Sequence, residues 1–128
     1  MIKVLVTGSR ELTNPQLVNL ALTQYKIWCD SQKEDMFLIL GDCPTGADKF
    51  ALDYATKENI DHEVHFADWA SEPRAGGVLR NQRMVNSNPE VAFGFLKEGA
   101  GNRGTSDCLG RCTTAGIPTK RIWEALAP

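Results

Sequence analysis

The chain has 128 residues, 42% apolar and 23% charged, with 14 Lys and Arg against 16 Asp and Glu and a formal net charge of −2. A chain of this length buries a core without disulfides or metal, so one domain over 1–128 is expected, and its balanced charge excludes bulk attraction to nucleic acid or anionic membranes. Nothing approaches the roughly 20 apolar residues of a membrane span, and the N-terminal apolar run is too short for a signal sequence, so a cytoplasmic protein is expected.

Residues 2–7 are a β-branched and aliphatic run closed by Gly8, the pattern of a strand buried on both faces. Asn14 as N-cap and Pro15 at the first helical position then predict a helix. Its apolar stripe is Val18, Ala21, Leu22, Tyr25 and Trp28, and it fades near Asp30. A second strand is predicted over 36–40, closed by Gly41. The stripe Ala47, Phe50, Ala51, Tyr54 and Ala55 predicts a second helix that ends near Asn59, a residue tolerant of the left-handed conformation. Strands are predicted over 63–67, 91–96 and 119–123, with helices over 78–85 and 105–115 between them. Strand and helix alternate at the spacing of βαβ units, which predicts an α/β fold: a Rossmann-like three-layer sandwich around a mainly parallel five-stranded sheet. Residues 98–104 are glycine-rich enough for a mobile loop.

Cys29, Cys43, Cys108 and Cys112 show no regular spacing and read as reduced, mostly buried thiols. Cys108 and Cys112 share a helix face at i, i+4, and His62 and His65 add two ligand types. Structural zinc, however, is marked by two closely spaced ligand pairs, so no metal and no cofactor are expected. The two histidines read as exposed loop or strand-end residues, and Trp28 and Trp123 as core.

In an open parallel sheet, ligands bind beyond the carboxyl ends of the strands. Four such segments carry unusual residues: Gly8-Ser9-Arg10; Gly41-Asp42-Cys43-Pro44-Thr45-Gly46-Ala47-Asp48; Asp68-Trp69 with Gly77-Val78-Leu79-Arg80-Asn81-Gln82-Arg83-Met84; and Gly99-Ala100-Gly101-Asn102-Arg103-Gly104-Thr105-Ser106-Asp107. Glycines at strand-to-helix turns let backbone N–H groups approach a ligand, and the following helix start adds positive charge. The turn over 101–105 fits that anion-site description, although a glycine turn is also an ordinary tight connection. The Gly-Lys-Ser/Thr of a P-loop is absent, and the turn after the first strand lacks the Gly-x-Gly-x-x-Gly of a dinucleotide fold. Of seven arginines, Arg10, Arg74, Arg80, Arg83 and Arg103 fall at these strand ends while the lysines are scattered. A guanidinium fork suits phosphate, so this distribution points to a small phosphorylated ligand; surface ion pairing is the plainer reading of Arg80 and Arg83. Trp69 reads equally as a stacking surface for a base or as core. Asp48 reads as a charge favourable to the helix start, or as a contact to ribose or a polar loop group, and Asp42 is similarly open.

These segments, in this order, resemble the SLOG superfamily, named for Smf/DprA and the LOG phosphoribohydrolases, and within it the small YspA-like family of bacteria and their phages. The residues that carry the likeness are Gly8-Ser9-Arg10, Gly41-x-Cys43-Pro44-x-Gly46-Ala47-Asp48, Phe66-Ala67-Asp68-Trp69, Gly77-x-x-Arg80-Asn81-x-x-Met84 and Gly101-x-x-Gly104-Thr105. The likeness implies a Rossmann-like sheet with a pocket for nucleotides or nucleotide-derived molecules. LOG-type enzymes cleave the N-glycosidic bond of a nucleoside 5′-monophosphate with an arginine, matched by Arg80, and a glutamate three residues after the phosphate-loop Gly-Thr. Cys108 stands at that glutamate position, and a thiol does not replace a carboxylate at neutral pH unless its pKa is strongly lowered.

The leading expectation is therefore a binding module, a sensor or sequestering protein for a small nucleotide-like ligand. Its expected contacts are Gly8, Ser9, Arg10, Gly41, Gly46, Asp48, Trp69, Arg80, Asn81, Gly101, Arg103, Gly104 and Thr105. The alternative is a phosphoribohydrolase with Arg80 and Asp107 as catalytic pair. Single-stranded DNA binding, the reading borrowed from the DNA-processing branch, lacks the basic, aromatic-lined groove it requires. Relatives commonly pair through helices, so Leu109 and Ala115 are open to a role in core or in a homo-oligomer interface.

Overall fold

A computed structural model describes residues 1–126. Five strands, β1 (Ile2–Gly8), β2 (Met36–Gly41), β3 (His62–His65), β4 (Val91–Lys97) and β5 (Thr119–Glu124), alternate with four helices, α1 (Pro15–Ser31), α2 (Ala47–Lys57), α3 (Gly76–Asn86) and α4 (Arg103–Thr114). The strands form one sheet in the order β3-β2-β1-β4-β5, and every neighbouring pair is parallel. The expected three-layer α/β sandwich is the observed one, with the sheet wholly rather than mainly parallel.

Because side chains alternate along a strand, β1 feeds two cores. Val4 and Val6 join Val18 and Leu22 of α1, Ala51 and Tyr54 of α2, and Phe93 and Phe95 of β4. Leu5 points the other way, with Ile39, Met84, Val85, Ala92, Cys108, Leu109 and Cys112 under α3 and α4. Leu109 packs so closely on β4 that a methyl group at Gly94 would stand 2.4 Å from it. Leu109 is thus core, while Ala115 is exposed at the end of α4.

Several element ends differ from expectation. The third strand stops at His65 instead of Ala67 because its single neighbour, β2, runs out: His65 pairs with Gly41, the last residue of β2. Phe66, beyond it, is 70% exposed. Helix α4 begins two residues earlier than predicted, at Arg103, and α3 at Gly76. Asn59 does take the left-handed conformation after α2, at φ 55°. Two tryptophans expected in the core are not there. At 100° per residue the buried line of α1 runs through Val18, Leu22 and Cys29, and Trp28 sits off to its side, 46% exposed. Trp123, 52% exposed, lies on β5, an edge strand. His62 and His65 are half-buried strand residues, not exposed ones: His62 Nδ1 lies 2.9 Å from Ile60 O, and His65 Nε2 lies 3.4 Å from Ser87 Oγ. The four cysteines are free thiols, and Cys29, Cys108 and Cys112 are buried. No helix among the described residues is long and apolar enough to cross a membrane.

One carboxylate ties the far edge of the sheet to the start of α1. Glu124, 7% exposed at the end of β5, accepts from Thr13 N, Thr13 Oγ1 and Asn14 N, and pairs with Lys97 Nζ at the end of β4. Burial works against its ionisation, but Lys97 and the Thr13 and Asn14 donors outweigh it and hold the carboxyl at about 2 against an ordinary 4.5. The folded-state value lies below the unfolded one, so the stabilisation is complete above about pH 4.5 and is lost as pH falls through about 2. Glu124→Gln should lower the unfolding free energy in urea at pH 7 by roughly 2–3 kcal/mol. The gap between variant and parent should narrow as the measurement is repeated toward pH 3.

Candidate functional site

The strand order reverses at β1. The chain moves outward through β2 and β3 and then returns to β4 on the other side of β1. The helices on the two sides therefore diverge beyond the carboxyl ends of β1 and β4, which leaves a crevice there. A cleft of about 270 Å³ fills this place, lined by Thr7, Gly8, Ser9, Arg10 and Glu11 after β1, Cys43 and Asp48 after β2, Arg80 and Asn81 of α3, and residues 100–105 around the start of α4.

The first wall is a turn held from three sides. Ser9 N donates to Phe95 O at 2.8 Å, Ala47 N donates to Ser9 O at 3.1 Å, and Thr45 Oγ1 donates to Arg10 O at 3.0 Å. Gly46, at φ 72°, allows this approach, since a methyl group there would lie 2.2 Å from Ser9 O. Gly46 thus shapes the cleft from behind and does not line it.

The opposite wall is the start of α4, and Asn102 builds it. Asn102 sits at φ 51°, in the left-handed region, and its side chain turns back to the preceding strand instead of capping the helix. Its Oδ1 accepts from Lys97 N at 2.9 Å, and its Nδ2 donates to Lys97 O at 2.8 Å and to Ala100 O at 3.1 Å. The loop between β4 and α4 is therefore internally bonded, while the helix start stays uncapped. Among the described residues the first α4 N–H with an acceptor belongs to Ser106, donating to Asn102 O at 2.9 Å, which leaves those of Arg103, Gly104 and Thr105 unpaired. Gly101 and Gly104 have open space where a side chain would stand, and Thr105 is buried in the first turn beside them. The unpaired N–H groups and the positive end of the helix give this wall a local positive potential.

Arginines divide into committed and free. Arg80 Nη1 donates to Asp42 Oδ1 at 2.5 Å and Arg80 Nε donates to Asn81 Oδ1 at 3.1 Å. Arg83 lies on the outer side of α3, near Glu72 and Phe66 O. Arg10 and Arg103 line the cleft, are exposed, and form no ion pair among the described residues. Arg74 is exposed and outside the cleft. The strand-end arginines of the sequence thus reduce to Arg10, Arg80 and Arg103, with Asp42 as the counter-ion that sequence left open.

Asn81, 5% exposed, spends its polar atoms on the protein: besides accepting from Arg80, its Nδ2 donates to Gly104 O at 3.2 Å and to Asp107 Oδ2 at 3.1 Å. It ties α3 to the first turn of α4. Gly41 does not line the cleft either; its missing side chain makes room, since a methyl group would lie 2.7 Å from Asp48 Oδ2 and 3.0 Å from Arg80 Nη1. Trp69, 54% exposed, lies over Gly76 and Gly77 at the start of α3 and outside the cleft. Asp107 is also outside: it faces Gln82 and Arg111 on the far side of α4. There, against the pull of partial burial, Arg111 and Asn81 hold its carboxyl below the usual range. Cys108, fully buried, is a free thiol whose interaction with Cys112, together with burial, pushes it up, so it stays protonated at neutral pH. The structure brings together Gly8, Ser9, Arg10, Asp48, Arg80, Asn81, Gly101, Arg103, Gly104 and Thr105, and leaves Gly41, Gly46, Trp69 and Asp107 off the surface of the cleft. Thr7 and Glu11 also line it and lie outside the segments that sequence singled out, while Cys43, Ala100 and Asn102 lie within those segments but were not among the expected contacts; of these, Asn102 was legible as an Asn directly before a helix in a glycine-rich turn.

The family model described as YspA, cpYpsA-related SLOG matches residues 2–71, more than half of the chain. The chain belongs to the YspA-related SLOG family. The match runs from β1 to the segment after β3, so it takes in the Ser9–Arg10 turn and Asp48 and stops before Arg80 and the α4 wall. Among curated proteins, the chain is similar to "Gene 61 protein" of Mycobacterium phage D29, 37% identical over 60 residues, which are 47% of this chain and 46% of the phage protein. The matched stretch therefore spans about half the length of that relative.

Asp48 is a cleft residue whose burial opposes its own ionisation. It is 7% exposed, and burial raises its carboxyl from 3.8 to about 6, against the opposing pull of the Cys43 N–H bond (3.1 Å) and Arg80. The folded-state value lies above the unfolded one, so this group's contribution to stability is full below about pH 4 and is lost as pH rises through about 6. Asp48→Asn should therefore raise the melting temperature at pH 7.5, by on the order of 1–3 kcal/mol of unfolding free energy, and leave it nearly unchanged at pH 4. Thermal denaturation followed by circular dichroism at the two pH values checks this.

Proposed function

We propose that the chain binds a small nucleotide or nucleotide-derived phosphorylated ligand in the cleft beyond β1 and β4, as a sensor or sequestering module. The observation that carries this reading is the α4 wall: three backbone N–H groups without an acceptor at the positive end of a helix, in a cleft lined by Arg10 and Arg103, neither of which has a counter-ion among the described residues. A phosphate there takes backbone donors from residues 103–105, the Thr105 hydroxyl, and charge-assisted bonds from Arg103 and Arg10. Arg80, already neutralised by Asp42, adds shape and a donor fork more than net charge. The volume of about 270 Å³ lies just below the roughly 300–1,000 Å³ of pockets for drug-sized ligands, which suits one nucleotide and not an oligonucleotide. Membership in the SLOG family supports the nucleotide class.

Binding is favoured over turnover by the positions of the expected catalytic groups. Asp107 is engaged by Arg111 and Asn81 behind the wall, and Cys108 is a buried, protonated thiol. Neither is a carboxylate available beside a scissile bond. The separate expectations of a cytoplasmic location and of one domain over 1–128 accord with this reading.

Calorimetric titration with AMP, ADP and ADP-ribose tests the proposal. At least one should bind, with Arg103→Ala weakening it about 10-fold or more, the worth of a charge-assisted hydrogen bond, and raising the salt concentration weakening it further. Chromatography after long incubation should return the nucleotide intact. Absence of binding by all three, or binding indifferent to Arg103→Ala, would overturn the assignment of the α4 wall.

A further inference from the structure

We propose that Asp48 makes the cleft selective for a ribose-containing ligand: its free carboxylate oxygen takes the 2′,3′-diol of a pentose 5′-phosphate whose phosphate lies at the start of α4. This rests on the phosphate reading above and adds the sugar and its configuration.

Asp48 lines the cleft, is only 7% exposed, and has one protein donor, Cys43 N–H at 3.1 Å to Oδ2. Oδ1 has no donor among the described residues. The nearest cation does not fill that role, because Arg80 directs its 2.5 Å bond to Asp42 and its Nε to Asn81. A buried carboxylate with spare acceptor capacity facing a ligand cleft calls for a donor from the ligand. It also repels phosphate, which fixes the polarity of the occupant: anionic at α4, donor-bearing at Asp48.

The distance between these two ends is bridged by two consecutive side chains of α3. Gly104 O in the α4 wall accepts from Asn81 Nδ2; Asn81 Oδ1 accepts from Arg80 Nε; and Arg80 Nη1 and Asp48 Oδ2 both lie against Gly41, within 3.0 Å of the position a methyl group would take there. A ligand with its phosphate at α4 and its donors at Asp48 spans the interval covered by these two side chains. In a ribose 5′-phosphate, the diol is on the far side of a single five-membered ring from the phosphate. The two hydroxyls supply two donors where a 2′-deoxy sugar supplies one, and a carboxylate oxygen that a ligand covers without giving it a donor discriminates strongly against that ligand.

The test is a calorimetric comparison of AMP and 2′-deoxy-AMP on the full chain, its Asp48→Asn variant and its Arg103→Ala variant. AMP should bind the parent about 10- to 100-fold more tightly than 2′-deoxy-AMP, the range of one hydrogen bond to a charged group. Asp48→Asn, checked for folding by its melting curve, should reduce that ratio to within about threefold. Arg103→Ala should weaken both nucleotides by a similar factor and keep the ratio. Equal affinities on the parent, or a ratio that survives Asp48→Asn, would overturn the role of Asp48; if Arg103→Ala still weakens both, the phosphate reading stands without it. If neither nucleotide binds the parent, the role of Asp48 falls, and the phosphate reading stands only if ADP or ADP-ribose binds.

Discussion

A strand with hydrogen-bonded neighbours on both edges and helices over both faces has one free direction, along its own axis, and β1 ends in that direction at Gly8. Every feature of the cleft follows from this confinement. The turn after β1 has to leave toward the sheet mouth, and it is fastened there by the ends of β4 and α2 through Phe95 O and Ala47 N. The helices on either side of the reversal cannot close over it without breaking the pairing of β1 with both β2 and β4. The crevice is thus a property of strand order, and side chains only decide what it holds.

What it holds is governed by how polar groups are satisfied. The loop before α4 satisfies its own polar groups through Asn102, which spends both ends of its amide on Lys97 and Ala100. That rigid arrangement is what leaves the N–H groups of α4 without a cap, since the residue in the capping position has been used elsewhere. Glu124 extends the same framework, joining Lys97 at one end of this loop to the start of α1. The positive wall is therefore built from backbone, with two exposed arginines lining the cleft and a third, Arg80, paired with Asp42. Asp48 stands across the cleft as a carboxyl whose burial opposes its ionisation, with only Cys43 N–H and the nearby Arg80 charge to offset it.

The net charge of −2 gains meaning from this distribution. Averaged over the chain it gives no bulk attraction to a polyanion; resolved by position, it sets the exposed guanidinium groups of Arg10 and Arg103 on the two walls of a small cleft that Asp48 also lines. Much of this was legible in advance. The strand runs, the Asn14-Pro15 helix start and the glycine turns located the strand ends, and through them Gly8, Ser9, Arg10, Arg80, Asn81 and residues 101–105. The readings that needed revision share one cause. Trp28, Trp123 and Trp69 are apolar residues whose burial depends on whether a neighbour happens to cover them, and α1 turns Trp28 aside, β5 is an edge, and Trp69 rests on the exposed start of α3. The end of β3 was likewise decided by its partner strand, not by its own sequence.

Sequence alone determined the α/β class, the alternation of elements and the set of segments at the sheet mouth, because each rests on local periodicity and turn chemistry within about ten residues. Tertiary structure decided which of those segments meet and which of their side chains remain available. Asp42 takes the charge of Arg80 from 38 residues away, Glu124 binds Thr13 across 111, and Asp107 is drawn behind α4 by Asn81, 26 positions before it. A chain lists its donors and acceptors, but which of them are already spent is a matter of distances in three dimensions, and only the unspent ones can bind a ligand.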